Sequence, residues 1–207
     1  GYSMLVVDAV EQRDLSSIAH AAALLGVSHM TAGSAGLAAE LSAAYGIVGS
    51  APPVLASRQP SGVLALVGSA THVSAQQVLR AIQEPGIHGL KLDPGVLEDQ
   101  HAREDHISRL VEESCKHLAN AEDVIISVVR KASAGDIREQ ALRIKDTLTR
   151  IATAVVCRRM VRGIAVTGGD TAEAGFRAPK VSGISLQSEG LPGLPYGRLG
   201  GGFDPGM

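Results

Sequence analysis

The chain has 207 residues, 45% hydrophobic and 2% aromatic with no Trp, and a formal net charge of -2. That length holds one large domain or two small ones around a core of Ala, Val, Leu and Ile. Near-neutral charge leaves no basic footprint for a polyanion, and the scarcity of rings leaves no stacking platform for single strands, so nucleic acid is excluded as a partner.

Gly1-Tyr2-Ser3 before Met4 reads as an expression remnant and is set aside. Met4 to Val7 reads as a short buried strand, and Asp8-x-x-Glu11 has capping-box spacing for a helix running to about Leu25. Ser28 to Ala32 reads as a second strand, followed by the small-residue turn Gly33-Ser34-Ala35-Gly36 and a helix to about Tyr45. Gly49 to Ser61, with Pro52-Pro53 and Pro60, loses apolar period and reads as a linker.

After the linker the order strand, turn, helix returns. Val63 to Val67 is a strand, Gly68-Ser69-Ala70-Thr71-His72 a turn, and Ser74-x-x-Gln77 a capping box for a helix to about Gln83. Ile87 to Leu92 and the β-branched run Val124 to Val129 are strands, separated by an amphipathic helix over Glu104 to Leu118. A long helix spans Ile137 to about Met160, its apolar positions Ala141, Ile144, Leu148, Ile151 and Val155 recurring at helical steps so that one face packs on a sheet. Gly163 to Thr167 is the last strand before a glycine turn. Beyond Arg177 only Val181 to Leu186 resembles a strand, and Leu191 to Met207 reads as a loop. Alternation of this kind predicts an α/β fold: a mostly parallel sheet flanked by helices in three layers, binding ligands at the carboxyl ends of its strands.

Gly168-Gly169-Asp170-Thr171 carries the strongest chemical signal. Glycines at a strand-to-helix turn let the main chain approach an anion, and the free N–H groups of the new helix favour negative charge. Read functionally, this is a phosphate cradle: close-approach glycines, a hydroxyl from Thr171, and an Asp170 carboxylate able to hold Mg²⁺. Read locally, Asp170-x-x-Glu173 is only a helix cap. Gly68-Ser69-Ala70-Thr71 has the same placement with fewer glycines, and Gly33-Ser34-Ala35-Gly36 serves equally as a tight turn against a neighbouring helix.

Other chemistries lack their signatures. Neither G-x-x-x-x-G-K-[ST] nor a strand-following G-x-G-x-x-G occurs, which speaks against a P-loop enzyme and a standard dinucleotide fold, and G-x-S-x-G is absent too. The seven histidines are scattered, and His101 and His106 stand five apart, off the i,i+4 spacing that places two ligands on one helical face. Cys115 and Cys157 are too few for a disulfide framework or zinc cluster and suit a structural role. No apolar stretch of about 20 residues spans a bilayer and no secretion signal opens the chain, so the expectation is a cytoplasmic protein without a membrane partner.

In sequence order, Val7-Asp8-Ala9, Gly33-Ser34-Ala35-Gly36-Leu37-Ala38, Val67-Gly68-Ser69 with Gln76, and Val166-Thr167-Gly168-Gly169-Asp170-Thr171-Ala172 resemble the four-carbon acid sugar kinase family, some of whose members carry the label Hrp-dependent type III effector. The resemblance runs from Met4 to about Phe203 and covers the latter half of the family's usual length. It implies ATP and Mg²⁺ as cofactors, phosphorylation of threonate, erythronate or 3-oxo-tetronate, and a substrate site supplied mainly by the family's N-terminal domain. It divides the chain into residues 4–48, the closing part of that domain, 49–61, a linker, and 62–207, a nucleotide-binding domain.

The resemblance carries ATP contacts to Ser69, Gly168, Gly169, Asp170 and Thr171. Pro192 to Leu199 looks like the family's proline-glycine segment, and Gly201-Gly202-Phe203 matches part of its Lys-x-Gly-x-Phe-Gly turn without the lysine, adding Gly201 and Gly202 to the nucleotide contacts. The general base and the substrate-carboxylate clamp have no counterpart here. Two readings follow: the ATP-binding part of a sugar-acid kinase, or a non-catalytic remnant serving as a partner module. A nicotinamide oxidoreductase is a third reading and lacks its glycine pattern. Exposed apolar surface where the other domain would dock predicts a homodimer.

Overall fold

The computed structural model describes residues 4–27, 30–47, 49, 62–69, 71–129, 137–158, 161–177, 181–191 and 194–201. Two compact units emerge, one of residues 1–54 and 187–196, the other of residues 55–186 and 197–207.

The first unit contains helices α1 (Gln12–Leu24) and α2 (Ala35–Ala44), packed through Ala19, Ala22 and Leu37. A Cβ on Gly36 would lie 3.0 Å from Leu15 Cδ1, so the Gly33 to Gly36 turn lets α2 approach α1. Met4 to Val7 is not the expected buried strand. It has no regular structure, and Met4, Leu5 and Val6 are about four-fifths exposed at 81%, 80% and 83%. The α1 cap also differs from expectation: Asp14, three residues past Glu11, accepts from the N–H of Glu11 and of Val10, and these bonds hold its carboxyl below the usual range. Ser28 and His29 lie outside the described residues, and Met30 to Ala32 form no strand.

The second unit is built on four parallel strands, β1 (Gly62–Val67), β2 (Ile87–Leu92), β3 (Asp123–Val128) and β4 (Val161–Thr167), in the order β2-β3-β1-β4. Helices α3 (His72–Ala81), α4 (Gln100–Ala119), α5 (Ile137–Cys157) and α6 (Gly169–Arg177) alternate with them. Side-chain alternation sorts the faces. Leu64, Leu66, Val124, Ile126 and Leu92 are buried against Ile107, Leu110 and Leu118 of α4 and Leu148, Ile151 and Val155 of α5. Gly89 turns to the other face, where a Cβ would meet Ile82 Cγ2, just after α3, at 2.8 Å. The α5 periodicity holds at Leu148, Ile151 and Val155, whereas Ala141 is exposed and Ile144 half-buried. Arg150 grips Glu104 with both guanidinium nitrogens, tying α5 to α4 and holding the Glu104 carboxyl below its ordinary value.

The expected terminal loop contains a strand instead. β5 (Val181–Leu191) and β6 (Leu194–Gly201) form a two-stranded sheet, with Ser182 Oγ donating to the carbonyl of Gly200 at 2.8 Å. The glycine content that obscures this strand is accommodated because Gly197 faces Ser185 O where a Cβ would sit at 2.5 Å. The linker residues 50–61 lie outside the described residues. Among the described residues no helix is long and apolar enough to cross a membrane.

α4 ends in a Schellman turn, with the N–H of Glu122 bonded to His117 O and that of Ala121 to Leu118 O. Ala121 sits at φ 61°, where glycine is the customary residue. Ala121→Gly is expected to stabilise the chain by roughly 0.5–1 kcal/mol, measured as a raised urea midpoint, because relief of left-handed strain exceeds the entropy that glycine adds.

His106, 6% exposed, accepts from the N–H of Asp93, and burial together with the Arg109 charge lowers its pKa below 6.5. In the window between that depressed value and 6.5 the unfolded chain binds the extra proton. The His106 contribution to stability is therefore complete above 6.5 and lost as pH falls through the folded value. Urea unfolding at pH 7 and pH 5 is expected to show lower stability at pH 5, with a smaller difference in His106→Gln.

Candidate functional site: two glycine turns on adjacent strands

β1 and β4 are hydrogen-bonded neighbours in register from Leu64 opposite Ile164 to Val67 opposite Thr167. Gly68 follows one strand and Gly168 the other, so the two turns singled out in the sequence stand side by side at the carboxyl end of the sheet. Each turn leads into a helix, α3 or α6, whose first N–H groups lack intrahelical partners and whose dipole is positive at that end. Paired helix N-termini of this kind suit an anion.

The glycines of these turns do different things. A Cβ on Gly68 would lie 2.0 Å from Thr171 Oγ1, and Thr171 is 7% exposed, so Gly68 lets the first turn of α6 pack against the end of β1. Gly168 has φ +93°, a conformation that residues with a Cβ rarely adopt. Among the described residues, nothing beyond the chain neighbours and the backbone of its own helix lies within 4 Å of where a Cβ on Gly169 would be, which leaves room for a ligand.

The capping readings are corrected in both turns. α3 is capped by Thr71, whose Oγ1 accepts from the N–H of Ser74 at 3.3 Å, not by a Ser74-to-Gln77 box. Ser69 Oγ donates to Thr71 Oγ1 at 3.3 Å, and Thr71 Oγ1 donates to Ser74 Oγ at 3.0 Å, a chain of hydroxyls at the mouth of the turn. α6 begins at Gly169, with the N–H of Ala172 bonded to Gly168 O. Asp170 is thus inside the first turn rather than at the cap, and Glu173 pairs with Lys145 of α5 at 2.5 Å.

Beside the Gly68 turn lies a cavity of about 230 Å³ between α3 and the sheet. Val67, Gly89 and Ser127 form part of its floor, Val78 and Ile82 part of its roof, and Ser69 stands at the edge facing the turn. Among the described residues Lys91 is the one charged side chain lining it. Lys91 and Ser127 were not anticipated, because β2 and β3 end without glycines; the signal that points to them is the rule that such sheets bind at strand carboxyl ends, applied to every strand. Gly201 has φ +74°, and the space beside it is filled by Ser182, 2.6 Å from a Cβ, so it serves the β5–β6 pairing. Gly202 lies outside the described residues.

Residues 64–207 match the family model of the nucleotide-binding C-terminal domain. The chain is 31% identical over 197 residues to a D-threonate kinase of Cupriavidus necator, covering 94% of this chain and 46% of that protein. It is 32% identical over 216 residues to a D-erythronate kinase of Heliobacterium modesticaldum, covering 98% and 48%. The chain therefore spans about half the length of these curated relatives.

A crystal structure from Bordetella bronchiseptica, of a domain of unknown function holding citrate in a domain-swapped dimer, is similar at TM-score 0.61 and 26% identity over 97% of this chain and 47% of that one. A chain from Salmonella typhimurium, at TM-score 0.65 and 17% identity over 93% and 45%, shares the fold. With the adjacent glycine turns, the domain match and these kinase relatives, the chain belongs to the four-carbon acid sugar kinase family and corresponds to its C-terminal, nucleotide-binding half.

Proposed function

We propose that this chain is the ATP-binding part of a cytoplasmic kinase that phosphorylates a four-carbon sugar acid of the threonate, erythronate or 3-oxo-tetronate type. The observation that carries this reading is the placement of the Gly68 and Gly168 turns on neighbouring parallel strands, each opening a helix. Gly168 and Gly169 present backbone N–H groups to the phosphates, and the open space at Gly169 admits them. Asp170, in the first turn of α6, holds Mg²⁺ directly or through water, and Ser69 and Thr171 contribute hydroxyls. The cavity under α3, apolar with a few polar groups at its edge, takes the nucleobase, and Lys91 adds positive charge at its rim.

Phosphoryl transfer asks the protein chiefly to position the reactants and neutralise charge. This half supplies the phosphate cradle. The acceptor's base and carboxylate clamp are assigned to the part of the relatives' length that this chain does not match. Association into a homodimer is part of the proposal, supported by the exposed Met4, Leu5, Val6 and Val10 of the first unit. Light scattering at micromolar concentration is expected to give twice the chain mass, and a monomeric mass sinks the dimer.

The test of nucleotide binding is calorimetric titration of the 207-residue chain with a non-hydrolysable ATP analogue and Mg²⁺. Saturable binding at one site per chain is expected. Absence of binding favours the non-catalytic remnant and leaves the glycine turns as inherited architecture.

A further inference from the structure

At the opposite, amino-terminal end of the sheet, three side chains distant in sequence meet. His88 is the second residue of β2, His117 lies in the last turn of α4, and Glu122 immediately precedes β3. His88 Nε2 is 3.2 Å and His117 Nδ1 2.8 Å from the same oxygen, Glu122 Oε2. The two imidazoles stack with centroids 3.7 Å apart and planes 20° off parallel. The ligand atoms all lie within 4.8 Å of one another, and all three residues are half-buried. From this geometry we infer that His88, His117 and Glu122 form a binding site for a divalent transition ion of the zinc class.

Three physical features support the inference. The donor set, two imidazoles and a carboxylate, is one that borderline ions such as Zn²⁺ prefer, with a fourth position left for water. Ligands about 2.1 Å from a tetrahedral ion sit about 3.4 Å from each other, near the 3.2 and 2.8 Å spacings of the histidine nitrogens from Glu122 Oε2, and the two stacked rings turn apart on binding so that both in-plane lone pairs aim at the ion. A cation is also favoured by its surroundings. His117 is at the negative end of the twenty-residue helix α4, which favours positive charge there.

The backbone is shaped to the same end. The Schellman turn with left-handed Ala121 folds the chain back so that Glu122 returns to His117, five residues earlier. Without an ion, two stacked rings share a single acceptor oxygen. An ion would satisfy all three groups together and join β2, α4 and the start of β3.

The probe is Zn²⁺ alone, titrated by calorimetry into the metal-stripped, tag-free 207-residue chain near pH 7.5. One ion per chain is expected, with micromolar or tighter affinity and a raised melting temperature. His88→Ala and His117→Ala are each expected to weaken binding at least about tenfold, while Cys115→Ser with Cys157→Ser leaves it unchanged. X-ray absorption of the zinc-loaded, unmutated chain decides the case even if a variant misfolds: a nitrogen and oxygen shell with two imidazoles is expected. No stoichiometric binding, binding that survives both histidine substitutions, or a sulfur shell overturns the site.

Discussion

Gly169→Asp is expected to weaken binding of the ATP analogue at least about tenfold while leaving the urea midpoint close to that of the parent chain. Among the described residues, no atom beyond the chain neighbours and the backbone of its own helix lies within 4 Å of the place a Cβ would take on Gly169, so the substitution meets no clash there. The new carboxylate stands where the phosphates are proposed to lie. Two like charges 4 Å apart at an effective dielectric of 20 repel by about 4 kcal/mol, and tenfold in affinity is only about 1.4 kcal/mol, which leaves room for screening. Gly169→Ala, neutral and equally free of clash, is expected to bind more tightly than Gly169→Asp. Equal binding by the parent and Gly169→Asp would remove the phosphates from this turn.

Gly68→Ala is expected to cost about 3 kcal/mol of stability, the upper end of the range for forcing atoms into filled space. Its Cβ would lie 2.0 Å from the oxygen of Thr171, a residue 7% exposed. The β1 turn and the start of α6 cannot both keep their places. Replacing Thr171 by Ala removes that oxygen and leaves the Cβ of residue 171 at 3.1 Å, a tight but adjustable contact. The double variant Gly68→Ala, Thr171→Ala is therefore expected to recover part of the loss, a coupling that a double-mutant cycle in urea measures directly. Additive effects would show that the two turns do not depend on each other. The pair of glycine variants separates the roles: one glycine is needed for packing, its neighbour across the site for access.

Much of the α/β pattern was legible. Ile87–Leu92 and the starts of α5 and β5 agree with expectation to the residue, because apolar runs and helical periodicity are local properties. Met4 to Val7 failed for the same reason: an apolar run marks a strand only if a partner strand accepts it, and these residues remain exposed. β6 was hidden by glycines and prolines whose local preference for turns is overridden by pairing with β5. The caps were displaced by a few residues, since Thr71 and Asp14 compete with nearby side chains that suit the same role.

By itself the sequence determined the alternation of strands and helices, the glycine turns that follow two of the strands, and the family resemblance, all of which reside in neighbouring residues or in their order. Only the tertiary structure decided that β4 pairs with β1, bringing residues 68 and 168 together, and that β3 lies between β1 and β2. It likewise decided that His88 and His117, 29 positions apart, face one carboxylate. Strand order and such meetings are set by which apolar faces can be buried together, as Leu64, Leu66, Val124 and Ile126 are beneath α4 and α5, and no spacing along the chain encodes that choice.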